Sequence, residues 1–269
     1  AEEVKSILLG MAGGQETLLG YFRRFINCFE KRVGVNRTIG SLRAYRNAYN
    51  HIERFLQAKY KLSDIPFSAL DRSFIDKYDL YLRTERNLAP GTIINLTVQL
   101  KTIVGEAIAD GIITASPFLG YEPVRPKAVQ KYLTAEELHR IITTPLHRQT
   151  LYHVRDMFLF SCFTGISYRD MCLLTKSNLC SAEDGTWWIK SARQKTKIEF
   201  EIPLLDLPLQ ILKKYSDTAP DDKLLPMYCN SMLNHYLKEI AQICHINRPL
   251  VFHAARHTYA TEITLSHGV

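Results

Sequence analysis

The chain has 269 residues, 46% of them hydrophobic and 23% charged, with 34 Lys+Arg against 27 Asp+Glu and a net charge of +7. That length suits two domains, and the composition is that of an ordinary globular protein, which excludes a disordered or collagen-like chain. The longest nearly unbroken apolar run, Met157 to Ile166, is ten residues; a membrane-spanning helix needs about 20, so no span is expected.

In chain order, Thr17 to Arg32 is helical in pattern. From Ser41 to Tyr60, Leu42, Tyr45, Tyr49, Ile52 and Leu56 fall at the spacing of one buried helical face. The opposite face carries Arg43, Arg46, Asn50 and Arg54, a polar surface suited to phosphate. Tyr21 to Tyr60 contains nine basic and two acidic residues, as large an excess as that of the whole chain. This is read as a nucleic-acid-facing domain, with a solvated helical face as the plain alternative. A further helix runs from about Asp71 to Arg86 on Phe74, Tyr78 and Leu82. Another starts after Pro90 and Gly91 and ends at Gly111, buried through Ile93, Leu96, Leu100, Ile103, Val104 and Ala107. On that helix Thr92, Asn95 and Lys101 face elsewhere.

Residues 116–131 break the pattern with three prolines, a glycine and basic residues that include Lys127 and Lys131. Domains are expected at 1–118 and 132–269, joined by a basic linker at 119–131. The second opens with Thr134 and Glu137 spaced as a capping box. A helix follows over Val154 to Phe163, then two short strands within Thr186–Pro203 joined around Gln194, Lys195 and Thr196. Helices return at about 207–215, 231–244 and 252–265. The fold class is mainly α, a helical domain followed by a mostly helical one with a small β-hairpin. The six cysteines include no Cys-x-x-Cys pair, which predicts reduced thiols in a cytoplasm rather than a zinc site or a disulfide framework. The N-terminus shows no basic-then-apolar secretion signal.

Two places are chemically pointed. His253 and Arg256, three apart on a helix, can grip one oxyanion, and Lys195 sits at a hairpin tip. His253 and His257 have zinc-pair spacing but lack a third ligand nearby, so no metal and no cofactor is expected.

In this order the pieces form a pattern. The run HAARHTYAT, His253 to Thr261, resembles the H-x-x-R-H-T-F-A-T box of the tyrosine site-specific recombinases, the phage-integrase family. Lys195 in Ala192–Lys197 matches that family's hairpin lysine. Phe163 to Leu174, FTGISYRDMCLL, resembles its T-G-L-R-x-S-E-L-x-x-L block. The YLTAEEL opening, Tyr132 to Leu138, and the basic helical N-terminal part are similar to its catalytic-domain start and its SAM-like core-binding domain. The likeness extends over nearly the whole chain, with the flavour of conjugative-transposon integrases.

The resemblance implies two domains clamping double-stranded DNA, and a tyrosine that attacks the scissile phosphate to give a 3′-phosphotyrosyl intermediate without metal or ATP. By match, Arg256 clamps the phosphate oxygens, His253 hydrogen-bonds the same phosphate and Lys195 is the general acid. Arg193 and Lys197 beside the hairpin join the expected DNA contacts. A homotetramer on DNA, with an accessory DNA-bending protein as a further partner, completes the implied assembly.

Two positions depart from the family. Ser167 stands where its first arginine belongs, and Arg155 first, Arg169 second, are the candidates to replace it. The nucleophilic tyrosine is expected beyond residue 269, because Tyr259 occupies a packed aromatic position, so these residues are expected to bind DNA without cleaving it. The alternatives are a non-catalytic DNA-binding protein that keeps the clamp and a type IB topoisomerase. Intact Lys195, His253 and Arg256 argue against the first; the separate basic domain and short length argue against the second.

Overall fold

Aromatic side chains at helical spacing build the first of two units. A computed structural model describes residues 16–127 and 130–264, which divide into two units between 128 and 129. The expected domain ends at 1 and 269, linker residues 128 and 129 and the helix end at Leu265 lie outside the described residues.

The first unit contains α1 (Leu18–Glu30), α2 (Ile39–Lys59), α3 (Arg72–Thr84) and α4 (Pro90–Ala109). Thr38 caps α2 by accepting the Ser41 N–H at 3.2 Å, and Asp71 caps α3 by accepting that of Phe74 at 2.7 Å. Pro90 takes the first position of α4, where its missing N–H costs nothing. That helix closes on Gly111 at φ +74, with the Gly111 and Ile112 N–H groups donating to the carbonyls of Ile108 and Ala107. These are the two bonds of a Schellman stop.

The buried face of α2 is turned from the expected one. Leu42, Ile52 and Leu56 are buried, but Ala48, His51 and Phe55 join them, while Tyr45 and Tyr49 are half-buried. The rings of the two tyrosines meet Phe22 edge-on, and the Tyr49 hydroxyl accepts a hydrogen bond from Arg23. Phe55 becomes the centre of the unit, within 5.2–5.7 Å of the rings of Tyr60, Phe74, Tyr78 and Tyr81. Residues 116–121, which break the sequence pattern, dock on α3. Phe118 is buried, Arg72 donates to the Leu119 carbonyl at 2.9 Å, and Tyr121 donates to Asp79 at 2.7 Å.

The second unit contains α5 (Ala135–Thr143), α6 (Gln149–Thr164), α7 (Tyr168–Met171), β1 (Leu179–Ser181), β2 (Trp187–Ala192), β3 (Glu199–Pro203), α8 (Asp206–Tyr215), α9 (Asn230–Ile243) and α10 (Ala254–Thr258). A π-helical turn, Tyr259–Thr264, continues α10, so the single helix expected over 252–265 is divided. Leu151, Val154, Met157, Phe158, Phe160 and Cys162 of α6 are all fully buried, and α8, α9 and α10 pack around them. So continuous an apolar stretch places the C-terminal half of the helix at the centre of its unit. The helix starts at Gln149, five residues before the expected Val154, because burial of Leu151 rather than a capping side chain carries its first turn.

The sheet is antiparallel in the order β1-β2-β3, pairing Leu179 with Ile189 and Ile189 with Ile202. Its inner face buries Ile189 completely; its outer face pairs Lys190 with Glu201 at 3.1 Å. β1 was absent from the expected hairpin because three residues are too few to show alternation.

The capping box is formed: Thr134 Oγ1 accepts the Glu137 N–H at 3.2 Å and Glu137 Oε2 accepts the Thr134 N–H at 2.9 Å. Both tryptophans, Trp187 and Trp188, belong to the second unit, so their fluorescence follows its unfolding alone. Thr134→Ala is expected to lower the stability read by tryptophan-monitored urea denaturation by about 1 kcal/mol.

Candidate active site

α6 ends at Gly165 in the left-handed conformation, φ +66. A Cβ at this position would lie 2.4 Å from Cδ1 of Tyr259, so glycine is required both for the backbone angle and for the ring lying on it. The Gly165 carbonyl accepts a hydrogen bond from Arg256 Nη1 at 3.1 Å. The buried helix therefore fixes the turn, and the turn fixes the guanidinium.

The next residues make an unusual use of the family's arginine position. Ser167 caps α7, donating from its hydroxyl to Asp170 Oδ2 at 2.7 Å while its oxygen faces the Asp170 N–H at 3.4 Å. The other carboxylate oxygen, Oδ1, accepts the backbone N–H of Gln194 at 3.0 Å. One buried carboxylate thus joins the start of α7 to the β2–β3 turn. That turn closes with Arg193 N–H donating to Ile198 and Lys197 N–H to Arg193, both at 2.8 Å, with Lys197 at φ +58.

Two cavities flank Arg256. The smaller, about 270 Å³, is lined by Ser167, Arg169, Asn230, Asn234, His253 and Arg256 among others. The other, about 330 Å³, is lined by Gly165, Asp170, Arg193, Phe200, Arg256 and Tyr259 among others. His253 is exposed at the start of α10 and its ring meets that of His257 at 4.9 Å, nearly perpendicular. Burial lowers the pKa of Arg256, the charge of Arg193 adds to this and Asp170 opposes it; a guanidinium still stays protonated at neutral pH. Burial lowers the pKa of His257 as well, with the charges of His253, Lys131 and Arg256 acting in the same sense. Its imidazole is neutral at pH 7.

Arg256, His253 and Arg169 are thus brought to one cavity. Lys195 stands exposed on the turn and lines neither cavity, though Arg193, two residues before it, lines the larger. Arg155 is not brought to Arg256. Its Nη1 donates to the Thr144 carbonyl at 3.0 Å, and its guanidinium lies 4.7 Å from the centre of the Tyr152 ring. Ser167 is the cap of α7, which is only one turn long, and Arg169 lies within that turn.

Arg43, Asn50 and Arg54 are exposed on α2, as are Thr92, Asn95 and Lys101 on α4 and Lys127, Lys131, Arg193 and Lys197 elsewhere. Arg46 is exposed but paired with Glu30 at 2.7 Å. The sequence reading missed Asn230 and Asn234; the second also accepts the Phe252 N–H at 2.7 Å. Their spacing of four on an amphipathic helix was the available signal. Among the described residues no group of three or more His, Cys, Asp or Glu side chains could hold a metal, and no helix is long and apolar enough to cross a membrane.

Residues 17–123 match the phage integrase SAM-like domain, and residues 131–268 match the phage integrase family. The chain belongs to the phage integrase family. Family membership makes it a site-specific DNA recombinase of the tyrosine type. It is 22% identical over 240 residues to tyrosine recombinase XerD of Listeria monocytogenes, covering 83% of this chain and 78% of that one. The fold is similar to that of lambda integrase residues 75–356 in a dimer bound to a core site, at a TM-score of 0.73 and 18% identity, covering 93% and 88% of the two chains. It is also similar to that of the Tn1549 transposon integrase in complex with transposon right-end DNA, at a TM-score of 0.70 and 18% identity over 94% and 88%.

Because the folded state lowers the pKa of His257, its contribution to stability is fully present above the unfolded value of about 6.5 and is lost as pH falls below that value through the lower folded one. The tryptophan-detected melting temperature is expected to fall between pH 7.5 and 5.5, and to fall less steeply in His257→Gln.

Proposed function

We propose that the Arg256 cavity cleaves and rejoins double-stranded DNA through a 3′-phosphotyrosyl intermediate. A tyrosine oxygen forms a bond to the scissile phosphorus while the bond to the 5′-oxygen breaks, and Lys195 gives the departing oxygen its proton. Arg256 and Arg169 hold the non-bridging oxygens as charge builds on the pentacoordinate phosphorus, and His253 donates to the same phosphate. The observation that supports this most directly is the meeting of Arg256, Arg169 and His253 in one cavity, where Ser167 leaves room for a neighbouring arginine. Asp170, through Gln194, keeps the lysine turn alongside.

Tyr259 is not the attacking residue in this reading, since its ring is packed on Gly165. The 269 residues then bind DNA without forming a covalent adduct, whereas a form that carries the nucleophilic tyrosine forms one, assembled as a homotetramer on its DNA. A carboxylate-anchored lysine turn beside two arginines and a histidine is more than a DNA-binding protein without chemistry needs.

The test is cleavage of attachment-site DNA by a form that carries the nucleophilic tyrosine, scored as covalent adduct on denaturing gels. Arg256→Ala is expected to slow adduct formation about 10²–10³-fold, and Arg169→Ala to act in the same direction. Lys195→Ala is expected to be slow on ordinary DNA but restored on a substrate with a 5′-bridging sulfur, which leaves without a proton. Adduct formation by the 269-residue chain, or full activity of Arg169→Ala, overturns the corresponding assignment.

The exposed face of α2 is assigned to the DNA backbone. Arg43→Ala is expected to weaken binding alike on all sequences and to reduce the slope of log K against log salt by about 1. An unchanged slope in a salt titration assigns that face to solvent.

A further inference from the structure

The first residues of the catalytic unit are held at three consecutive backbone groups. The Tyr132 carbonyl accepts from Arg248 Nη2 at 2.7 Å, the Leu133 N–H donates to Thr258 Oγ1 at 2.9 Å, and the Thr134 N–H donates to Glu137 Oε2 at 2.9 Å. Arg248 and Glu137 are themselves joined at two points, through Nη1 to Oε1 at 2.7 Å and Nη2 to Oε2 at 2.5 Å. Leu133 and Thr258 are fully buried. The Thr258 hydroxyl gives its proton to the Ala254 carbonyl at 3.0 Å and accepts from Leu133, so both of its roles are used.

The helix at the other end of this bond is poorly self-supporting. α10 has five residues and passes directly into a π-helical turn, and so short a segment takes its position from packing and from side-chain bonds that leave it. Two such bonds are in place: Arg256 to the Gly165 carbonyl, and Thr258 to Leu133. The first belongs to the arginine that must also serve the phosphate. The second ties the helix to the residues at which the linker enters the unit. Lys131, immediately before them, lies near enough for its charge to act on His257.

We propose that Thr258 is a positioning residue that keys the exit of the linker to the helix carrying His253 and Arg256, so that the cleavage step rather than DNA affinity depends on it. The inference rests on the reading that Arg256 grips the scissile phosphate. Its chemistry is plain: the Leu133 N–H has one acceptor, and any shift of residues 131–134 against α10 must break that bond in a buried setting.

Thr258→Val keeps the shape and removes the acceptor, and Thr258→Ser keeps the hydroxyl. In the tyrosine-bearing form on saturating attachment-site DNA, Thr258→Val is expected to slow adduct formation at least 10-fold while its DNA Kd stays within about twofold of the unaltered protein. Thr258→Ser is expected to regain most of the rate. In the 269-residue chain, trypsin is expected to cut after Lys131 faster in Thr258→Val, with cutting after Arg125 and Lys127 unchanged. If Thr258→Val fails to fold, Arg248→Lys decides: it keeps a charge opposite Glu137 but has no fork to serve the Tyr132 carbonyl as well, and the same split between rate and affinity is expected. Cleavage at the unaltered rate by the folded variant, a parallel loss of binding and cleavage, or no recovery in Thr258→Ser overturns the proposal. Absence of any adduct from the unaltered tyrosine-bearing form would instead defeat the underlying reading.

Discussion

The bond from Arg256 to the Gly165 carbonyl is the point on which the second unit's chemistry turns. It needs a carbonyl that does not move, and α6 supplies one because residues 156–162 just before the turn are all buried. It also needs a turn tight enough to aim that carbonyl outward, and only a residue without a Cβ can make that turn beneath the Tyr259 ring. The arginine is thus aligned by main chain rather than by a carboxylate partner. Its charge is left for an incoming anion, and Asp170 tempers it without pairing with it directly.

Charge in this region is one-sided by construction. Arg169, Arg193 and Arg256 line the two cavities, and Asp170 is the acidic residue among their lining. That carboxylate is already committed, through one oxygen to Ser167 and through the other to Gln194. A buried group with both oxygens occupied is a poor competitor for a guanidinium, which leaves the positive charge of the cavities uncompensated.

Much of this was legible in the residues themselves. The Thr134–Glu137 box, the stop at Gly111 and the buried stripe of α4 follow from local rules about caps and periodicity, and local rules survive folding. Motif and order are what pointed to His253, Arg256 and Lys195. What escaped was long-range or very short. The hold of Asp170 on Gln194 spans 24 residues, the three-residue strand β1 has no period to read, and Asn230 and Asn234 matter only because α9 sets them beside Arg256. That Arg155 donates to the Thr144 carbonyl while Arg169 lines a cavity with Arg256 is likewise a matter of long-range packing. The rotated face of α2 shows the same limit: tyrosines count as apolar in a periodic pattern, yet their hydroxyls draw them to the rim and leave the centre to Phe55.

The double engagement of Asp170 also constrains how this sequence can change. Exchanging Ser167 for arginine, the residue the family motif calls for, would strip α7 of its cap and take from Asp170 the hydroxyl that occupies one oxygen. The new guanidinium would then compete with Arg169 for the same space while drawing the carboxylate away from the lysine turn. Positions 167, 169 and 170 therefore form one substitution unit, in which a step toward the familiar motif at one residue is a step away from function until the other two have moved with it.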